Sequence, residues 1–133
     1  MKPTTQQWLK YAQADLLNCE RILDDDFLSN IIAFHSQQTV EKCFKALIEE
    51  HNSTIPRIHN LLRLHELIKQ YLTEEIDITE IIALDNVYTA SRYPGEIGMT
   101  TTGMPSLEEA RELYKCAKKI YHIILQTLDL KMH

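Results

Sequence analysis

Three glycines and four prolines are all that 133 residues contain, and the glycines, Gly95, Gly98 and Gly103, fall within one short stretch. A chain so poor in these residues has few places for tight turns. A many-stranded β fold and a glycine-rich phosphate loop are both hard to accommodate. Long helices with short connections fit best.

The apolar pattern agrees. A first helix begins after Pro3, with Thr4 and Gln7 at capping-box spacing, or Thr5 as the cap. Trp8, Ala12, Leu16, Cys19 and Leu23 then recur at three and four residues, the stripe of one helix face. Asp24, Asp25 and Asp26 end it and read as a solvated turn, since adjacent aspartates on a turn point apart. A second helix runs from about Asn30 to Glu50. At about 100° per residue, Ala33, Val40, Phe44 and Leu47 share a face, with His35, Gln38, Lys42 and Lys45 nearly opposite. Glu41 precedes Lys45 by four, the favourable order for a helical ion pair.

Pro56 holds Ile55 extended and breaks the chain. A short helix follows, about Asn60 to Tyr71, then another from about Thr79 to Ser91. A polar loop holding the three glycines leads to Pro105. The last helix opens on Ser106-Leu107-Glu108-Glu109, a Ser-x-x-Glu capping box, and carries a stripe from Ala110 to Leu128. The expected fold is all-α: an up-and-down antiparallel four-helix bundle with one additional short helix. At this length one domain is expected.

The formal net charge of −5 excludes a protein that coats nucleic acid through bulk electrostatics, so any phosphate contact needs a local cluster. The first residues lack the apolar core of a signal peptide, and no apolar run approaches the roughly 20 residues of a membrane span. Cys19, Cys43 and Cys116 are widely spaced within helical patterns and read as buried free thiols. A cytoplasmic location is expected.

Three segments could carry chemistry. In the first, His35 to Leu47, the stripe of His35, Gln38 and Lys42 offers donors to an anion. Gln37 lies near the apolar face and needs a specific partner, such as Trp8 or another helix. In the second, His59 can cap the short helix, pack on the bundle, or join Arg57 at a phosphate. In the third, Arg92 meets the negative end of a helix dipole, or is held by Tyr93 and Pro94 for a bidentate phosphate contact. No metal site is indicated: the second His of His-Glu-x-x-His falls at Lys69, and His59 and His65 do not share a face.

Together, His-x-Gln-Gln-x-x-Glu-Lys-x-x-Lys-Ala from His35, Arg-x-His-x-Leu from Arg57, and Tyr-x-x-Ser-Arg-Tyr-Pro from Tyr88 resemble the prokaryotic HEPN domain family over about residues 5 to 128. The resemblance implies a helical bundle that dimerises through helix faces. It implies nucleotide binding, and a minimal nucleotidyltransferase as partner in a two-component, toxin–antitoxin-like system. Many HEPN members are metal-independent ribonucleases with an Arg-x(4–6)-His motif. This chain departs from that pattern, because no Arg is followed by His at that spacing.

The expectation is therefore a non-catalytic subunit without a cofactor, binding a nucleotide or RNA phosphate through His35, Gln38, Lys42, His59, Arg92 and Tyr93. The alternatives are a divergent ribonuclease toxin built on His35, His59 and Arg92, and a purely structural adaptor.

Overall fold

A computed structural model of the chain describes residues 1–51, 54–92 and 104–128, with side chains up to residue 87 and again from residue 104. Among the described residues there are five helices: α1 (Pro3–Arg21), α2 (Ser29–His51), α3 (Leu61–Ile68), α4 (Ile78–Arg92) and α5 (Leu107–Thr127). Short 3-10 turns at Asp26–Leu28 and Lys69–Tyr71 complete it, and the described residues contain no strand. The all-α expectation holds, with each helix within two residues of its expected start.

The helix ends show which signals were local. At α5 the capping box forms as expected: Glu109 N donates to Ser106 Oγ at 3.0 Å and Ser106 N to Glu109 Oε1 at 2.9 Å. At α1 it does not. Lys2 is the N-cap without a side-chain bond, and Pro3 supplies the first turn. The Thr4 hydroxyl instead donates to Glu49 Oε1 at 2.5 Å, and that of Thr5 to Glu50 Oε1 at 3.0 Å. Both threonines thus clamp the start of α1 to the end of α2.

At the opposite end Cys19 Sγ donates to the Ile32 carbonyl at 3.4 Å, so α1 and α2 run antiparallel. Ser29 Oγ donates to the Pro105 carbonyl at 2.8 Å, which puts the entries of α2 and α5 side by side. Tyr114 OH donates to Glu20 Oε1 at 2.7 Å and Arg111 Nε to the Leu23 carbonyl at 2.8 Å, so α5 is antiparallel to α1.

α2 is the hub. Fourteen of its residues are buried, among them the polar Ser36, Gln37, Thr39, Glu41 and Lys45. Phe44, Ile32 and Leu47 meet Ile81 and Leu84 of α4 and Ile120 and Ile124 of α5 in one continuous core. A helix packed on several sides cannot keep all its polar groups in water, and this draws the α2 polar face partly inside.

Cys19 and Cys43 are buried and all three thiols are free. Burial pushes Cys19 up to about 11 and Cys116 up to about 12, which keeps both protonated and unreactive. No described helix is long and apolar enough to cross a membrane.

His65 of α3 is buried beside Phe44, and its Nδ1 has no hydrogen-bond partner. Burial holds this imidazole below its ordinary value of 6.5, opposed by Glu66 and aided by Lys69. The folded state therefore prefers neutral His65. The stability this contributes is complete above the ordinary value and declines as pH falls below it. Denaturant unfolding at about pH 7.5 and pH 5.5 should show a loss at the lower pH that His65→Phe reduces. Equal losses in both proteins would refute the assignment.

Candidate functional site

The polar sector of α2 makes two carboxylate-centred clusters, one toward α1 and one toward the segment before α3. In the first, Asp15 of α1 is almost fully buried and serves two partners. Its Oδ1 lies 2.8 Å from His35 Nδ1, and its Oδ2 accepts from Lys42 Nζ at 2.6 Å. His35 and Lys42 are seven residues apart, two turns on one face, so a single carboxylate reaches both. Each retains about a quarter of its side-chain exposure.

The second cluster surrounds Glu41, whose side chain is only 5% exposed. Its Oε2 is 3.0 Å from Lys45 Nζ, and His59 Nδ1 lies 3.1 and 3.0 Å from its two oxygens. The Lys45 ammonium also sits 5.7 Å from the Trp8 ring centre. Gln37, fully buried, donates through Nε2 to Glu41 Oε1 at 3.3 Å and to the His59 carbonyl at 3.4 Å. Its Oε1 accepts from Gln38 Nε2 at 2.8 Å. The imidazole of His59, in contrast, is 54% exposed.

A third carboxylate joins α4 to this cluster. Asp85 Oδ1 accepts from Leu61 N at 2.6 Å and Oδ2 from Leu62 N at 3.1 Å, the first two amides of α3. Burial raises the Asp85 carboxyl above its ordinary value against the pull of those two amides, and the Glu41 charge adds to the rise.

The structure thus divides the sequence-predicted residues. His35 and Lys42 meet on Asp15, while Gln38 and His59 belong to the network of Gln37 and Glu41. Arg92 ends α4, seven residues beyond Asp85, and its side chain lies outside the described residues, as does Tyr93 altogether. The structure decides between alternatives that the sequence left open for Gln37 and for the cap of α3, and corrects the placement of Lys45. Gln37 bonds to Glu41, Gln38 and the segment before α3, not to Trp8. Lys45 is buried with Glu41 rather than standing on an outer face. The cap of α3 is Asn60, whose Oδ1 accepts from Arg63 N at 3.0 Å, leaving the His59 ring for Glu41.

The sequence reading missed Asp15, Asp85 and the central role of Glu41. Asp15 had a signal, since it lies three residues after Ala12 within a buried stripe, where a carboxylate needs a partner. Asp85 follows the core residue Leu84 in the same way.

Among the described residues these clusters hold three carboxylates and two ammonium groups, each ammonium against a carboxylate. Among the described residues no group of three or more His, Cys, Asp or Glu is placed to hold a metal. A groove of about 610 Å³ between α1 and α5, floored by Leu9, Leu16, Tyr121 and Leu125, includes none of the predicted site residues. The candidate site is a partly exposed polar seam.

A family model for the HEPN domain matches residues 5–128. Among solved structures the chain is similar to TT1696 from Thermus thermophilus, at 22% identity and a TM-score of 0.76, covering 95% of this chain and 99% of that one. It is similar also to ST0689, described as an archaeal HEPN homologue, at 25% identity and a TM-score of 0.68, covering 95% and 98%. No curated protein matches it.

Proposed function

Because the chain belongs to the HEPN domain family, we propose that it is a nucleotide- or RNA-phosphate-binding subunit that partners a minimal nucleotidyltransferase in a two-component, toxin–antitoxin-like system. The observation that carries this reading is His59, a half-exposed imidazole whose Nδ1 is fixed by a buried carboxylate. Such a ring is oriented before any ligand arrives, so little side-chain entropy is lost on contact. Gln38, His35 and Lys42 extend the polar seam on α2, and Arg92 and Tyr93 are the proposed contributions from the end of α4.

Calorimetric titration with each of the four common nucleoside triphosphates tests the binding. Heat with at least one is expected, and His59→Ala should weaken it about tenfold, near 1.4 kcal/mol. No heat from any of the four at millimolar ligand would overturn the reading. The partnership predicts that a minimal nucleotidyltransferase encoded beside this chain co-purifies with it. The subunit is further proposed to be a homodimer, giving twice the 15.5 kDa chain mass in light scattering.

The same dyad favours a second reading. An imidazole oriented by a carboxylate suits proton transfer, which a ribonuclease would use. Total RNA incubated with wild type, Arg92→Ala and His59→Ala separates the two. Cleavage by wild type that both substitutions abolish supports an enzyme, and intact RNA throughout supports the binding subunit.

A further inference from the structure

We propose that the outward face of α1 is the surface through which two copies of this chain pair, with the symmetry axis at Ala14; the proposal rests on the homodimer reading above. Leu9, Ala12, Leu16 and Cys19 of α1 turn into the core. At about 100° per residue the middle of the opposite face falls on Ala14, which is exposed. Two large apolar side chains flank it: Tyr11, 51% exposed, and Leu17, 42% exposed. Gln7 Nε2 donates to Tyr11 OH at 3.1 Å, which steadies the ring on the surface.

This face is complementary to itself. Tyr11 and Leu17 stand three residues before and after Ala14, and about 60° to either side of it. A twofold axis through Ala14 sets each residue of one helix against the residue equally far beyond Ala14 in an antiparallel copy. Tyr11 then meets Leu17 of the second copy, and Leu17 meets its Tyr11. Lys10 meets Asn18, and Gln7 meets Arg21. An aromatic ring lies on an aliphatic chain, and each cation lies opposite an amide. Ala14, at the axis, carries only a methyl group, so the two helices can approach closely enough for the flanking side chains to interlock. Leu17 also lines the groove between α1 and α5 together with Leu16 and Tyr121, so the apolar surface continues past the stripe.

Among the described residues one other helix exposes an apolar pair on a single face, Ile78 and Ile82 of α4. The same symmetry applied there sets Glu75, three residues before Ile78, against Asp85, three residues after Ile82. Carboxylates placed opposite each other oppose association. On α1 no charge lies directly opposite a like charge, so a second copy fits this face better than it fits α4.

Sedimentation velocity of the full chain from about 1 to about 200 µM reads the dimer and its dissociation constant. Leu17→Glu and Tyr11→Glu each place a charge in both symmetric contacts at once. Either should raise the dissociation constant at least about a hundredfold. Ile82→Glu on α4 should leave it within about twofold. Both α1 residues are exposed, so circular dichroism should show the fold unchanged. Ala14→Cys should give a disulfide-linked dimer under mild oxidation, because a residue on the axis meets its own copy. Gln13→Cys, turned about 100° away, should not. Wild type, whose Cys19 and Cys43 are buried, is the blank.

A dimer that neither α1 substitution weakens, or that Ile82→Glu dissolves instead, overturns the proposal and leaves the homodimer standing. So does an Ala14→Cys variant that cross-links no faster than Gln13→Cys. A wild-type chain that stays monomeric across the whole range overturns the two together. Should Leu17→Glu fail to fold, Tyr11→Glu carries the test, since Tyr11 is the more exposed of the pair.

Discussion

Replacing Glu41 with alanine should lower the stability of the fold by about 3–5 kcal/mol, because it leaves Lys45 buried without its counter-ion. The Lys45 side chain is 8% exposed and its ammonium lies 3.0 Å from Glu41 Oε2. Uncompensated, it must draw water into the core beside Gln37. For a chain of this size the loss corresponds to a fall in Tm on the order of 10–20 °C. The double variant Glu41→Leu with Lys45→Met should recover part of it, since no buried charge is then left unpaired, while Gln37 Nε2 keeps only the His59 carbonyl. His59→Ala, at a half-exposed ring, should cost less than about 1 kcal/mol. Thermal and denaturant unfolding of the four proteins decides the matter. A Glu41→Ala variant within about 1 kcal/mol of wild type would mean that the buried pair contributes little.

The contrast between these substitutions also explains what the sequence could and could not disclose. Helix positions were legible because apolar stripes at three- and four-residue spacing depend only on nearby residues. The Ser106 capping box was legible for the same reason. Thr4 has the same kind of signal, yet its hydroxyl is taken by Glu49, 45 residues away, and no local rule foresees that competitor. Gln37 shows the boundary sharply. Its place near the apolar face required a partner, but only the fold brings the His59 carbonyl to it. Likewise, the His35 and Lys42 stripe was visible as a donor-rich surface. That one carboxylate of α1 reaches both donors follows from how α1 lies on α2, which periodicity alone does not fix.

Asp85→Ala should cost about 2–4 kcal/mol, because it removes two hydrogen bonds from a charged acceptor and strands the amide of Leu61, a residue with no exposure. The first three amides of α3 are all satisfied by side chains: Leu61 and Leu62 by Asp85, and Arg63 by Asn60. Losing two of the three leaves a helix of eight residues, too short to hold itself together without tertiary support. Hydrogen exchange should report this directly, with the Leu61 and Leu62 amides exchanging faster in the variant. Unchanged protection there would show that the cap does not hold the helix start. Asp85→Asn, which keeps one acceptor, should fall between the two proteins. The consequence reaches the proposed site without touching any ligand. His59 stands two residues before the anchored Leu61, and Arg92 ends the helix that carries Asp85. One carboxylate thus fixes the second of the three sequence motifs against the helix bearing the third. Nucleotide affinity in Asp85→Ala should therefore fall together with the protection of Leu61, even where the protein remains fully folded.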